Sequence, residues 1–203
     1  RTWPMRGTLH LLAREDVRWM VALLAPRVQA ANAARLARDL GLDAATLARG
    51  RQLMEHTLRD GLPVPRSELY ARMDAAGIAS SRQRGLHLLN WLAHESVLCQ
   101  GPRHGKQPTF VLMDAWVPPS APLERDEALH RLALGYLQGH GPATAADLAW
   151  WSGLTQTDAR HALALASSAL EQETREGVTW WWRSDAPVPS RSRAVHLLPA
   201  FDE

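Results

Sequence analysis

The sequence predicts a mainly helical α+β protein with short β-hairpins, for two reasons. Residues 61–117 show a helix, a tight turn, a second helix and two short apolar strands in that order. The same order recurs in residues 123–185. Two helices joined by a tight turn and followed by a hairpin are typical of a winged helix-turn-helix. A repeat of this kind favours tandem winged-helix units over one mixed domain.

Residues 1–12 are predicted to form an extended strand. Apolar side chains alternate along it and are expected to pack inward: Trp3, Met5, Leu9 and Leu11. Because neighbouring strand residues point to opposite faces, Arg6, Thr8 and His10 are expected to share a polar face. We interpret the strand as the last wing strand of a preceding winged-helix unit that lies upstream of Arg1.

The polar face of residues 1–12 has two interpretations, which the sequence leaves open. Arg6, Thr8 and His10 could support an active site by binding a phosphate or by orienting a water molecule or a neighbouring side chain. Alternatively, they could form a hydrogen-bonded cluster that holds two units together, since buried polar groups need partners.

Connecting helices are predicted in residues 13–60. The first begins near Glu15, and Pro26 is expected to begin a second that ends before Gly41, because proline is favoured in the first turn and glycine after the last. Asp43 is expected to cap a third helix that extends to about Arg59, because a carboxylate accepts hydrogen bonds from the first free backbone N–H groups.

Residues 61–117 are predicted to form a winged-helix unit with a basic wing. Its first helix covers about residues 66–76, and Ser80 or Ser81 is expected to cap a second that ends near His94. Arg82, Gln83 and Arg84 lie near the start of this second helix, where a recognition helix presents side chains to the DNA groove. The alternative is that they pack against a neighbouring unit.

The two strands of this unit are predicted at residues 96–100 and 109–113, joined by the loop "GPRHGKQP". Arg103, His104 and Lys106 in this loop are candidate DNA-binding residues, because a basic loop can follow a phosphate backbone. A solvated hairpin tip is the alternative.

Residues 118–122 are predicted to be a linker, and 123–185 a second winged-helix unit with an acidic wing. Gln156-Thr157-Asp158 lies at the start of a predicted helix, where helix capping explains it better than catalysis. Residues 186–203 are interpreted as the start of a further C-terminal segment.

Charge is distributed unevenly along the chain. Residues 1–117 carry sixteen basic against ten acidic residues, whereas residues 118–203 carry seven against eleven. All the basic residues except Lys106 are arginines, and arginine binds phosphate through a planar, bidentate guanidinium. The first half therefore suits a nucleic-acid surface, although a GC-rich gene would also favour arginine over lysine.

The sequence lacks the patterns of disulfide-stabilised, metal-binding, cofactor-binding and membrane proteins. Cys99 is the only cysteine and is expected to be a buried thiol, so neither a disulfide framework nor a cysteine-based zinc site is expected. The histidines show no metal-ligand spacing, and no cofactor-binding motif is present. Without a signal peptide or an apolar run of membrane-spanning length, the protein is expected to be cytoplasmic and free of membrane contacts.

Three separated motifs resemble those of the bacterial tandem winged-helix DNA glycosylases: "TWPMRGTLHLL", "GKQPTFVLMDAW" and "HLLPAFDE". The resemblance implies three winged-helix units arranged around double-stranded DNA. It also implies hydrolysis of the N-glycosidic bond of alkylated or crosslinked bases, with no cofactor. The family places catalysis on a Gln-x-Gln or Gln-x-Asp motif in its first unit, which is expected upstream of Arg1. No catalytic residue is therefore expected in this chain.

Two other functions fit the same pattern. A non-catalytic, regulatory DNA-binding protein could be built from tandem winged helices, and a winged-helix scaffold that binds only protein would suit the acidic second half. An upstream Gln-x-Gln or Gln-x-Asp motif would favour the enzyme.

Overall fold

The computed structural model describes residues 1–187, which belong to two compact units that divide between Leu123 and Glu124. Both units are mainly helical with small antiparallel sheets, so the predicted fold class is confirmed. The predicted C-terminal segment, including the motif "HLLPAFDE", lies outside the described residues from position 188 onward. No helix in residues 1–187 has the length and apolar character needed to cross a membrane.

The first unit contains two long helices followed by a helix pair and a small sheet. Its helices are α1 (Val17–Leu40), α2 (Ala44–Thr57), α3 (Arg66–Ala75), α4 (Arg84–His94) and the short α5 (Met113–Trp116). Its strands are β1 (Val64–Pro65), β2 (Leu98–Gln100) and β3 (Thr109–Leu112).

Helix α1 is a single helix of 24 residues, and the predicted division at Pro26 is wrong. Proline removes a backbone hydrogen bond and usually bends or ends a helix. Here Leu24 and Ala25 before the proline and Leu36 beyond it are all buried. Packing on both sides of Pro26 therefore holds the chain in one helix, which ends as predicted at Gly41, a left-handed residue.

Helix α2 begins as predicted. The Asp43 carboxylate accepts a hydrogen bond from the Thr46 backbone N–H at 2.8 Å, which satisfies one of the free donors of the first turn. Met54 and Leu58 are buried, and they join α3, α4 and Phe110 in the main core of the unit.

Helix α4 begins later than predicted, at Arg84, and neither Ser80 nor Ser81 caps it. The Ser80 hydroxyl donates to the Asp74 carboxylate at 2.9 Å, and the Ser80 backbone N–H donates to the same group. Asp74 therefore fixes the turn between α3 and α4. Arg82 and Gln83 both have positive φ, 51° and 70°, a conformation that a helix excludes.

The small sheet places β3 in the middle, antiparallel to both β1 and β2. Both strands of the predicted hairpin are therefore confirmed, at slightly shorter lengths. Strand β1 was not predicted from the sequence. Cys99 on β2 is buried as expected, and burial raises the pKa of its thiol to about 11. The Arg1 carbonyl accepts a hydrogen bond from the Gln100 backbone N–H, at the outer edge of β2.

Residues 1–12 do not form the predicted continuous strand. Arg6 and Gly7 both have positive φ, and the Thr8 backbone N–H donates to the Met5 carbonyl, which closes a β-turn. The chain folds back, so that Thr2 pairs with His10. Trp3 and Met5 are buried as expected, but Leu9 and Leu11 are exposed. The alternation fails because the turn ends the extended conformation at Met5.

The second unit has a related order of elements. Its helices are α6 (Arg125–His140), α7 (Ala145–Ser152) and α8 (Gln156–Leu165), followed by a 3-10 turn (Ser167–Ala169) and the antiparallel hairpin of β4 (Leu170–Arg175) and β5 (Val178–Arg183). Gly153 between α7 and α8 is left-handed, like Gly77 after α3. Thr144 and Asp147 form a capping box at the start of α7, an arrangement that satisfies two free donors at once.

Candidate nucleic-acid interface

The loop between β2 and β3 is an ordered, exposed and basic hairpin tip. His104 and Gln107 exchange two backbone hydrogen bonds of 3.0 Å, with Gly105 at positive φ between them. The Thr109 hydroxyl donates to the Pro102 carbonyl and fixes the base of the loop. These bonds hold the loop in one shape, which lowers the entropy cost of binding a partner.

The three candidate side chains of this loop all face solvent. Arg103, His104 and Lys106 are exposed. Within residues 1–187, neither Arg103 nor Lys106 forms an ion pair with a carboxylate. Two full positive charges therefore project into solvent from a loop that backbone hydrogen bonds hold together.

The three candidates before and at the start of α4 are not equivalent. Arg82 and Gln83 are exposed and lie in the turn that precedes the helix. The Arg84 guanidinium instead donates to two backbone carbonyls, those of Ala79 and Leu40. Arg84 thereby ties the end of α1 to the start of α4, whereas Arg82 and Gln83 present their side chains to solvent.

Arg6, Thr8 and His10 lie at the β-turn rather than along one strand face. The Thr8 hydroxyl and the His10 Nε2 atom are 2.7 Å apart and form a hydrogen bond. Burial lowers the pKa of His10, and the nearby positive charge of Arg6 lowers it further. The lowered pKa favours the neutral form of the imidazole in the Thr8–His10 pair.

A polar cluster on α4 was not predicted from the sequence. His87, Asn90 and His94 follow one another at spacings of three and four residues, which places them on one face of the helix. Burial lowers the pKa of His94 to about 4. Burial also lowers the pKa of His87, and the positive charge of Arg35 lowers it further. Polar residues at helical spacing in an otherwise apolar helix were the available signal.

Asp158 of Gln156-Thr157-Asp158 takes part in the capping of α8, but the N-cap residue is Thr155, which precedes the motif. Thr155 precedes α8, and its hydroxyl accepts from the Asp158 backbone N–H at 3.0 Å. The Asp158 carboxylate accepts from the Thr155 hydroxyl and from Arg125. In the described part of the chain, no three His, Cys, Asp or Glu side chains come together in a group suited to a metal ion.

Comparison with known proteins gives one consistent result. The interstrand DNA cross-link repair glycosylase of Streptomyces sahachiroi is 31% identical to this chain over an alignment of 172 residues. The match covers 77% of this chain and 44% of the relative. The solved structure of the Streptomyces sahachiroi DNA glycosylase AlkZ superposes with a TM-score of 0.71 at 27% identity, covering 91% of this chain and 52% of that one.

This chain spans about half the length of the relatives that it matches. The family model described as DNA glycosylase AlkZ-like matches residues 1–203, the whole chain. The resemblance inferred from the three sequence motifs is thereby confirmed. The chain belongs to the AlkZ-like DNA glycosylase family.

Proposed function

We propose that this chain is the DNA-binding part of a glycosylase that hydrolyses the N-glycosidic bond of alkylated or crosslinked bases in double-stranded DNA. The observation that carries the proposal is the ordered loop with exposed Arg103, His104 and Lys106, in a member of a DNA glycosylase family. A basic loop of fixed shape neutralises backbone phosphates and releases their counterions. The acidic hairpin of β4 and β5 lacks this property.

The proposal includes two tandem winged-helix units, in residues 61–117 and 123–185, joined by the linker 118–122. In the first, β1 precedes the helix pair and adds to the hairpin that follows it. In the second, Ala143 lies just before the helix pair and forms an isolated bridge with Trp181 of β5. The same order of elements in both units supports a repeated winged-helix fold.

DNA contact in the first unit is proposed at two places. The loop side chains Arg103, His104 and Lys106 bind backbone phosphates, and Arg82 and Gln83 approach the groove at the start of α4. Arg84 contributes by holding that turn through its bonds to Leu40 and Ala79.

Catalysis is proposed to lie in the part of the relatives that this chain does not span. The hydrogen-bonded Thr8–His10 pair and the neighbouring Arg6 are proposed to support that site. A neutral imidazole held by a hydroxyl is suited to orienting a water molecule or a second side chain. A glycosylase with this arrangement acts most readily on damaged bases, whose pairing and stacking are already weakened.

Duplex binding tests the loop. We expect the double variant Arg103→Ala, Lys106→Ala to weaken binding to a fluorescent DNA duplex. Each lost phosphate contact reduces the slope of log K against log salt by about 0.9, so the slope should fall by nearly two. Fluorescence anisotropy over a series of salt concentrations measures it.

The matched control is Arg38→Ala, Arg51→Ala, which removes the same net charge from the same unit. Arg38 is paired with Asp39 and Arg51 with Glu55, so this variant should leave the salt slope close to that of the unmodified chain. An unchanged slope in the loop variant would show that the loop does not contact phosphate.

Base release tests the activity. A full gene product that contains this chain should leave abasic sites in duplexes carrying an alkylated or crosslinked base, detected as strand breaks after alkali treatment. Residues 1–203 alone should bind the same duplexes without releasing a base. Absence of abasic sites across several lesions would contradict the glycosylase proposal, and base release by residues 1–203 would contradict the proposed location of catalysis.

A further inference from the structure

A cavity of about 240 Å³ lies between the β-turn at Arg6 and the facing sides of α1 and α4. Its polar lining comes from all three segments, which are far apart in sequence. The residues that matter for its chemistry are Arg6, Asn32, Arg35, His87, Asn90 and His94.

The lining of this cavity is basic. Arg6 and Arg35 each bring a full positive charge, and none of the lining residues in the described part of the chain is acidic. The Arg35 guanidinium donates to the Asn32 side-chain oxygen at 3.1 Å, and the Asn32 amide donates to the Val28 carbonyl. Asn32 therefore orients Arg35 through a neutral group, which leaves the positive charge of Arg35 uncompensated at that contact.

Two buried polar atoms of the cavity residues have no hydrogen-bond partner. Within residues 1–187, these are the Oδ1 atom of Asn90 and the Nε2 atom of His94. A buried polar atom without a partner costs about 1–3 kcal/mol, and folded proteins contain few of them. Both atoms lie on α4, one turn apart and beside the same cavity, so hydrogen-bonding capacity at this place is not used by the described residues.

We propose that this cavity binds a phosphate group of the DNA backbone. The inference rests on the proposed function, because it assigns a specific phosphate site to the same DNA-binding chain. Arg35 and Arg6 match the charge and the planar geometry of a phosphate. A neutral imidazole donates one N–H, which His94 supplies from Nε2, and rotation of the Asn90 side chain by half a turn presents its NH2 group.

A phosphate fits the lining better than a neutral ligand does. Phosphate oxygens only accept hydrogen bonds, and the groups that meet here are two guanidinium groups, an amide and imidazoles, all of which can donate. The site differs from the exposed loop at residues 101–108 in its neutral donors. Arg6 and Arg35 are exposed, whereas His87, Asn90 and His94 beside them are partly buried. A phosphate held by the two arginines would therefore also meet polar groups that have limited access to water.

The test is the variant Arg35→Gln in the duplex-binding titration. We expect its salt slope to fall by about 0.9, the contribution of one phosphate contact. Arg38→Gln is the matched control, because it removes the same charge from the same helix, lies outside the cavity lining and is paired with Asp39. A slope for Arg35→Gln equal to that of Arg38→Gln would overturn the inference.

A second measurement follows the cavity directly. Side-chain ¹⁵N–¹H NMR of His94, assigned with the variant His94→Gln, should show a shift of the Nε2 signal on addition of a short duplex. An absent shift at saturating duplex would overturn the inference. A shift of equal size with inorganic phosphate alone, and none with the duplex, would overturn the assignment to the DNA backbone.

The two proposals fail in different ways. If the unmodified chain binds no duplex, the proposed function fails and this inference fails with it. If the loop variant Arg103→Ala, Lys106→Ala loses salt dependence while Arg35→Gln retains all of it, the DNA-binding function stands and only the cavity assignment is wrong.

Discussion

Replacing Phe110 by Ala is expected to lower the free energy of unfolding of the first unit by about 3–5 kcal/mol, the usual cost of truncating a buried phenylalanine. Phe110 is fully buried. It lies on β3, the middle strand, where it pairs with Val64 of β1 and Gln100 of β2. Its ring stacks on that of Trp3, with 6.2 Å between centroids and 5° between planes.

The loss extends beyond one side chain because Phe110 joins separate parts of the unit. Its core cluster includes Trp3 from the first segment, Met54 from α2 and Leu88 from α4. A cavity at this position removes contacts from all of them at once, and the surrounding helices cannot close it without moving the sheet that carries the basic loop. Duplex binding should therefore weaken in parallel with stability.

Urea unfolding followed by circular dichroism measures the effect. Leu62→Ala is the matched control, because Leu62 is 68% exposed and its truncation should change stability by less than about 0.5 kcal/mol. The milder Phe110→Leu keeps the test valid if the Ala variant does not fold. A loss below about 1 kcal/mol for Phe110→Ala would show that this side chain does not join the parts of the core.

The features that the sequence predicted correctly depend on neighbouring residues. Asp43 caps α2 through an N–H only three residues away. The tight turn predicted between the two helices of each unit contains a glycine with positive φ, Gly77 in the first and Gly153 in the second. The hairpin of β2 and β3 follows from two short apolar runs around a Gly/Pro loop. These signals are local, so a single sequence contains them.

The errors came from packing and from hydrogen-bond partners that lie outside the pattern used for each prediction. Pro26 remains inside α1 because buried residues on both sides of it pack into the fold. Ser80 does not cap α4 because its hydroxyl donates to the Asp74 carboxylate instead. The turn at Arg6 depends on the pairing of Thr2 with His10. A local pattern cannot show which partner a group finds in the folded chain.

The candidate site divides in the same way. The basic loop with Arg103, His104 and Lys106 was visible in the sequence because its residues are contiguous. The cavity could not be predicted, because Arg35 of α1 and His94 of α4 are separated in sequence by about half of the first unit and meet only when these helices pack together. From the sequence, Arg84 was a DNA-binding candidate like its exposed neighbours Arg82 and Gln83. In the structure its guanidinium instead donates to the backbone carbonyls of Leu40 and Ala79.

Acid is expected to destabilise the first unit through His94. The pKa of this imidazole is about 4 in the folded chain against an ordinary value of 6.5, because burial disfavours the charged form. His94 ends α4, where the helix dipole favours a positive charge by about 0.3–1 kcal/mol. Burial is the cause of the downward shift of the pKa, and we take it to be larger than the effect of the dipole. Arg6, Arg35 and His87, which line the same cavity, add no negative charge that would favour protonation.

The sign follows from proton uptake. Above about pH 7, His94 is neutral in both states and has no effect on stability. As the pH falls below 6.5, His94 becomes protonated in the unfolded chain but stays neutral in the folded chain. The free energy of unfolding therefore falls until the pH reaches about 4. Between pH 7 and pH 5 these two pKa values limit the loss to about 2 kcal/mol, because pH 5 lies only about 1.5 units below the ordinary value. Partial exposure of His94 reduces the expected loss to about 1 kcal/mol.

The variant His94→Gln removes the titrating group and should flatten this part of the stability profile, measured by urea unfolding at a series of pH values. His56→Gln, an exposed position on α2, should keep the profile of the unmodified chain. Equal acid sensitivity in His94→Gln and the unmodified chain would contradict the proposed effect of burial on His94.

If the cavity also binds DNA phosphate, saturating duplex should raise the pKa of His94, because a nearby anion favours the imidazolium and offsets part of the cost of burial. Duplex should then reduce the acid loss of the unmodified chain and leave the His94→Gln profile unchanged in slope.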